Sequence, residues 1–326
     1  MSAPARRVPL WLALPAALAA LLLPASTLAD GEQEDPRVLL QRMATAVETL
    51  NYEGTFVLRK SDKMMTMHVV HGVDERGVWE SMESLNGEKR KIVRHNNRVI
   101  SIYPERKLVT VSQMGDKPGL HPILPENLDR LGKYYTIEQL GDERIAGRNT
   151  SVLNVQPKDA FRYGYRYWLD SDTGVLLKCD LLDENNDVVE QMMYTSFNKA
   201  ASAPQSAFSM PELEGYTRQN LDKSRGQPVD TGWRVTNMPH GFMLTQSTAG
   251  EVGEQNSHHL MFSDGLASVS VFIEPVENSA HQLSGGSSMG ALNAFGTQLN
   301  GKQITVMGEV PLATVARIAE SLERTQ

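Results

Sequence analysis

The sequence predicts an α+β protein: a large antiparallel sheet curved into an open half-barrel with covering helices, followed by a smaller C-terminal α+β domain. Three observations carry this. A helix-spaced segment near the start gives way at Asn51 to runs of period two separated by turn formers. These runs number roughly ten or eleven, too many for one sheet to stay flat and uncurled. From Lys199 the composition shifts to Ala, Ser, Pro, Gln and Gly, and a second set of hairpins with a closing helix comes after it.

Residues 1–29 read as a signal peptide. Arg6 and Arg7 precede the apolar run "VPLWLALPAALAALLLPA", and "STLA" supplies small residues for cleavage after Ala29. A retained membrane anchor is the alternative, but Pro15 and Pro24 interrupt the run and no positive stop follows it. The expected product is exported and soluble. This segment holds two of the 32 Lys and Arg residues and none of the 39 Asp and Glu, so the exported chain is more acidic than the −7 of the full sequence. An acidic chain without a dominant basic face argues against nucleic acid as a partner. A single cysteine, Cys179, excludes an internal disulfide and is expected to be protected by burial.

The first element of the exported chain is a helix. Asp35 caps it, Pro36 opens its first turn, and Leu39, Leu40, Met43, Val47 and Leu50 recur at helical spacing. "YEGTFVLRK", "MMTMHVVHG", "GVWESMESL", "KRKIVRHN", "RVISIYP" and "KLVTVSQ" then form a meander, because the connections are too short for parallel crossovers. A proline-broken stretch comes next, with a short helix expected around 126–131. Strands resume at "YYTIEQLG", "ERIAGR" and "TSVLNVQP", and three more lie between Phe161 and Phe197. The domain boundaries predicted are 30–198 for the half-barrel, 199–230 for a linker and 231–326 for the small domain. In the latter, hairpins turn at Ser263-Asp264-Gly265 and Asn300-Gly301, "HQLSGGSSMG" reads as a mobile loop, and a helix starts from Pro311.

Each enzyme-like motif weakens in context. "GSSMG" fits a nucleophile elbow with Ser288 at its centre, but that chemistry needs a later His, and none follows His281. "DSDTG" puts Leu181 where a calcium loop needs its bidentate Glu, and the loop starting at Asp183 has Val188 in place of the required Gly. Both acidic clusters are explained by hairpin turns. His68 and His71, at odd spacing on a strand, point to opposite faces, and no metal site is predicted. No cofactor and no catalytic residue is expected.

The strands between Phe161 and Phe197 carry more apolar residues than an antiparallel sheet with one wet face requires. Two explanations stand open: a core covered on both faces, or a concave apolar cavity whose methionines adapt to a ligand. In the second, Met65, Met67, Tyr163, Tyr165, Tyr167, Leu177, Cys179, Met192 and Tyr194 are the candidate lining, with Met64 and Met82 nearby in the pattern. The run "GEKRKIVRHNNR" adds Lys89, Arg90, Lys91, Arg94 and Arg98, either a solvated hairpin face or contacts for the phosphates of an anionic lipid.

"YEGTFVLRK" after an N-terminal helix, "ERIAGRNTSVLNVQPKDAFRYGYRYWLDSDTGVLLKCDLL", "FSDGLASVSVFIEP" and "ITVMGEVPLATVARIAESL" together resemble the RseB/MucB family of periplasmic negative regulators of the envelope-stress sigma factor. "YRYWLDSDTGVLLK" is also similar to the strand-turn-strand of LolA/LolB lipoprotein carriers. The resemblance implies a periplasmic protein with a helix-plugged half-barrel and a smaller C-terminal domain. It implies binding to the periplasmic part of a membrane-spanning anti-sigma factor, protection of that partner from a site-1 protease, and release when lipid or lipopolysaccharide binds. It implies no catalytic residues. A periplasmic lipid or lipoprotein carrier using the same cavity is the alternative, and self-association is left open.

Overall fold

The computed structural model describes residues 34–113, 128–221, 230–252, 255–276 and 282–325. The predicted signal peptide lies outside them. Helix α1 (Pro36–Thr49) begins where the sequence places it: the Asp35 carboxylate accepts from the Arg37 amide at 2.9 Å, and Pro36 occupies the first turn. Its buried stripe is Leu39, Leu40, Met43 and Ala46.

Six strands follow as a meander: β1 (Asn51–Lys60), β2 (Lys63–Asp74), β3 (Gly77–Ser84), β4 (Lys91–His95), β5 (Arg98–Tyr103) and β6 (Leu108–Gln113). Helix α2 (Leu128–Tyr134) leads into a second meander: β7 (Tyr135–Ile145), β8 (Arg148–Pro157), β9 (Gly164–Asp170), β10 (Leu176–Leu182) and β11 (Val188–Ala200). The sequence splits β7 at Gly141, but the strand runs through, with a register shift between Gln139 and Gly141 that absorbs the irregularity. Pairing of β1 with β11 joins the two meanders. A twelfth strand, β12 (Thr217–Asn220), pairs in parallel with β6, so the sheet runs β12-β6-β5-β4-β3-β2-β1-β11-β10-β9-β8-β7.

The sheet is open and curled. In a flat sheet β7 and β11, four strands apart, would be separated by ~19 Å; here their residues approach within 8 Å between Cα atoms. The core fills the concave side thus formed, where α1 and Leu131 of α2 meet Tyr52, Phe56, Met67, Tyr167, Leu169 and Tyr194.

The described residues 201–221 of the predicted linker are ordered against the large sheet. A 3-10 turn at Gln205–Phe208 sets Phe208 against Trp79, with ring centroids 5.7 Å apart, over Gly72. Leu213 and Tyr216 cover Ile100, Ile102, Val109 and Val111. Without a helical or alternating pattern, such a segment shows no period to read, yet it covers part of the convex face.

The second sheet has the order β14-β15-β16-β19-β18-β17. Its strands are β14 (Met243–Val252), β15 (Gln255–Ser263), β16 (Ser268–Pro275), β17 (Gly285–Met289), β18 (Leu292–Leu299) and β19 (Lys302–Gly308). Helix α3 (Leu312–Glu320) lays Val315, Ile318 and Ala319 on its core, and short β13 (Trp233–Val235) pairs with terminal β20 (Leu322–Arg324). The expected mobile loop at 281–290 contains β17, an edge strand of Gly and Ser that the alternation rule does not detect.

Candidate functional site

Cross-strand register gathers the predicted apolar residues. One row of direct partners runs Met65, Leu58, Met192, Cys179, Tyr167 and Leu153 across six strands. Directly opposed residues share a face, so this row and the adjacent one, Met67, Phe56 and Tyr194, lie on the concave side with α1. Tyr165, two residues from Tyr167, sits on the same face beside Leu181. Leu177 falls at a register shift between Leu176 and Lys178 and is fully buried. Tyr163 lies just before β9 and packs with Leu181 and with Ala291 in the β17–β18 turn, its hydroxyl accepting from Asn293 Nδ2 at 2.9 Å. The concave face therefore collects seven of the nine directly.

Within this group Met67, Tyr167, Leu177, Met192 and Tyr194 are buried, while Met65, Tyr165 and Cys179 are partly exposed. Although the residue is partly exposed, desolvation of its sulfur inside the apolar row, with Asp180 and Glu190 adding to it, pushes the Cys179 thiol well above its ordinary range and favours the protonated form. The Tyr167 hydroxyl is buried with no hydrogen-bond partner among the described residues. The next row turns polar only at its β1–β11 end, where Lys60 holds Glu190 at 2.7 Å and Glu309, just after β19, at 3.3 Å.

The five basic candidates do not form one cluster. Lys91 pairs with Glu83 at 3.0 Å, and Arg94 pairs at 3.6 Å with Glu80 on the concave side. Arg98 stands on the opposite face, across from Gln113 and His95. Lys89 and Arg90 lie in the connection before β4.

The acidic clusters serve turns. Asp170 is buried, accepts from Arg148 at 2.6 and 2.9 Å and from the Thr173 amide, and Gly174 takes φ +76°. Asp183 accepts from the amides of Asn185 and Asp187. Ser288 lies on β17 and donates to Asn293. His68 and His71 take partners on opposite faces, as their spacing requires. Among the described residues no group of three His, Cys, Asp or Glu is placed to hold a metal.

Sequence patterning misses the contact between the sheets. The Arg162 guanidinium, its side chain fully buried, donates to Asp264 Oδ2 at 2.6 Å, to both oxygens of Asp159, and to the His240 carbonyl. It also lies about 5 Å from the rings of Tyr134 and Phe242. Asp264 accepts from Tyr135 Oη at 2.9 Å, and its other oxygen holds the amides of Leu266 and Ala267. The β15–β16 turn thus reaches the half-barrel, and Leu266 packs on its core. In sequence Asp264 reads only as a turn residue; nothing marks its carboxylate as buried against an arginine 102 positions away.

An open half-barrel with an apolar, helix-covered face, bonded to a second sheet through a buried ion pair, defines a two-domain β-sheet protein. The family model of the MucB/RseB N-terminal domain matches residues 35–212, and that of the C-terminal domain matches residues 227–323. The chain is 31% identical over 313 residues to the sigma factor AlgU regulatory protein MucB of Pseudomonas aeruginosa, covering 93% of each. It is 26% identical to the sigma-E factor regulatory protein RseB of Haemophilus influenzae over 310 residues, 91% of this chain and 94% of that one. A crystal structure of MucB in complex with MucA(peri) superposes with a TM-score of 0.71 at 29% identity, over 90% of this chain and all of that one. The chain belongs to the MucB/RseB family.

Proposed function

We propose that this protein is a periplasmic regulator of a sigma factor. It binds the periplasmic part of a membrane-spanning anti-sigma factor, shields it from site-1 proteolysis, and lets it go when lipid or lipopolysaccharide occupies the apolar face. The observation that carries the first part is the similarity, across both sheets, to MucB as it occurs in complex with MucA(peri). The lipid part is supported by the row from Met65 to Leu153. Release then needs no chemistry: a ligand that binds the free regulator better than the complex lowers its affinity for the partner by linkage.

The test is capture of the exported chain by the periplasmic segment of its anti-sigma factor, with and without lipopolysaccharide. Capture that lipopolysaccharide weakens is expected. Absence of capture in both conditions refutes the regulator, and capture indifferent to lipopolysaccharide removes the sensor alone. A lipid or lipoprotein carrier remains the second reading, favoured by the apolar concave face; lipid binding without any anti-sigma capture would establish it.

A further inference from the structure

On the convex face, where the cover by Leu213 and Tyr216 ends, lies a cavity of about 410 Å³ lined by Arg98, Val111, Gln113, Arg218 and Asn220. Register builds it. Arg98 opposes Gln113 between β5 and β6, and β12 places Arg218 opposite Val109 and Asn220 opposite Val111. Since Val109, Val111 and Gln113 alternate onto one face, both arginines stand on that face, one on each side of β6.

Neither guanidinium has a hydrogen-bond or ion-pair partner among the described residues. Other arginines on or beside this sheet, Arg76, Arg94, Arg106 and Arg148, each hold a carboxylate. Two like charges sharing a cavity repel, and an anion between them turns that repulsion into paired, charge-assisted hydrogen bonds. Guanidinium forks match the tetrahedral oxygens of phosphate, and a cavity of this size admits such a group.

We propose that Arg98 and Arg218 form a binding site for a phosphate-bearing anion, either a lipid headgroup or free phosphate. Arg218 belongs to the segment that succeeds the second meander, so an anion held by both arginines also fastens β12 to the sheet. The inorganic form of the proposal stands without the regulatory reading; only its headgroup form rests on the lipid part of that reading.

The experiment is calorimetric titration of the exported chain at low salt with inorganic phosphate, with monomeric dihexanoyl phosphatidic acid, and with dihexanoyl phosphatidylcholine as the zwitterionic comparison. R98Q and R218Q are expected each to weaken binding at least about tenfold, whereas R144Q, on the far edge strand, leaves it unchanged. Added salt weakens the interaction further. Equal binding of phosphate and phosphatidic acid identifies free phosphate as sufficient; binding of phosphatidic acid alone identifies a headgroup. Failure of both probes to bind, or retention of full affinity in R98Q and R218Q, overturns the site. Circular dichroism melts establish that each variant is folded, and R218K, which keeps the charge, retains part of the affinity. Loss of lipopolysaccharide-sensitive anti-sigma capture in the unmodified chain would count against the regulatory reading and leave the phosphate result standing.

Discussion

Replacing Asp264 by Asn removes one charge from the buried ion pair and little else. Asn keeps an oxygen to accept from the amides of Leu266 and Ala267, so the β15–β16 turn retains its local bonds. The change falls on the other oxygen, which accepts from Arg162 at 2.6 Å and from the Tyr135 hydroxyl at 2.9 Å. In D264N an amide NH2 faces those donors, and Arg162 is left with Asp159 as its one carboxylate. Removing one member of a fully buried pair costs about 3–5 kcal/mol, and the surviving Asp159 contacts put D264N near ~3 kcal/mol. R162M fills similar volume but strands the Asp264 charge and loses the aromatic contacts, so it costs at least as much. Removing both charges relieves the stranded partner. The double variant is therefore expected to be more stable than the sum of the single changes by ~2 kcal/mol or more. The assay is urea unfolding of the four proteins, followed by tryptophan fluorescence and by circular dichroism so that departure from one transition is detected. A coupling energy below ~0.5 kcal/mol, or a D264N as stable as the parent, would refute the view that this pair holds the sheets together.

Gly72→Val should cost about 1–3 kcal/mol in the same assay, because a Cβ there would stand 2.6 Å from that of Ala203 and 3.0 Å from the Phe208 ring; an unchanged midpoint would show that the segment after β11 does not press on β2. Cys179 should react with a thiolate-requiring disulfide reagent at pH 8 at least ~10-fold more slowly in the native chain than in urea, since desolvation of its sulfur favours the protonated thiol. Equal rates would place it outside the apolar row. The Asp74 carboxyl, held down to about 2 by the Arg76 guanidinium, should titrate there by NMR and return toward the ordinary value near ~3.9 in R76Q. Its contribution to stability is present above the ordinary range and is lost as pH falls toward 2, so R76Q should flatten the acid limb of the stability curve.

Period and turn chemistry made most of the large sheet legible. "YEGTFVLRK" and β1 differ by one residue, and the Asp35-Pro36 start of α1 is where cap chemistry puts it. The apolar row was legible as composition, but only register shows that Met65 and Tyr167, about a hundred residues apart, belong to one line. The basic run illustrates the opposite limit. Its spacing suggests a single cluster, while the β3–β4 pairing gives Lys91 and Arg94 separate carboxylates. Arg162, Asp264 and Arg218 were illegible for one shared reason: their meaning lies in long-range partners, and a lone charge near a turn carries no sign of whether it will be buried.

Strand β12 also has a consequence for the company the protein keeps. A wide open sheet has two free edges, and an unpaired edge is a template for any other extended chain. The two edges are guarded differently. At β7 the guard is intrinsic: a register shift and exposed Glu138, Asp142, Glu143 and Arg144 make a poor docking rail. At β6 the guard is four residues borrowed from the chain that leads to the second sheet. That edge is covered only while its own tether lies along it, which makes its exposure a property of the tether's position as much as of the sheet.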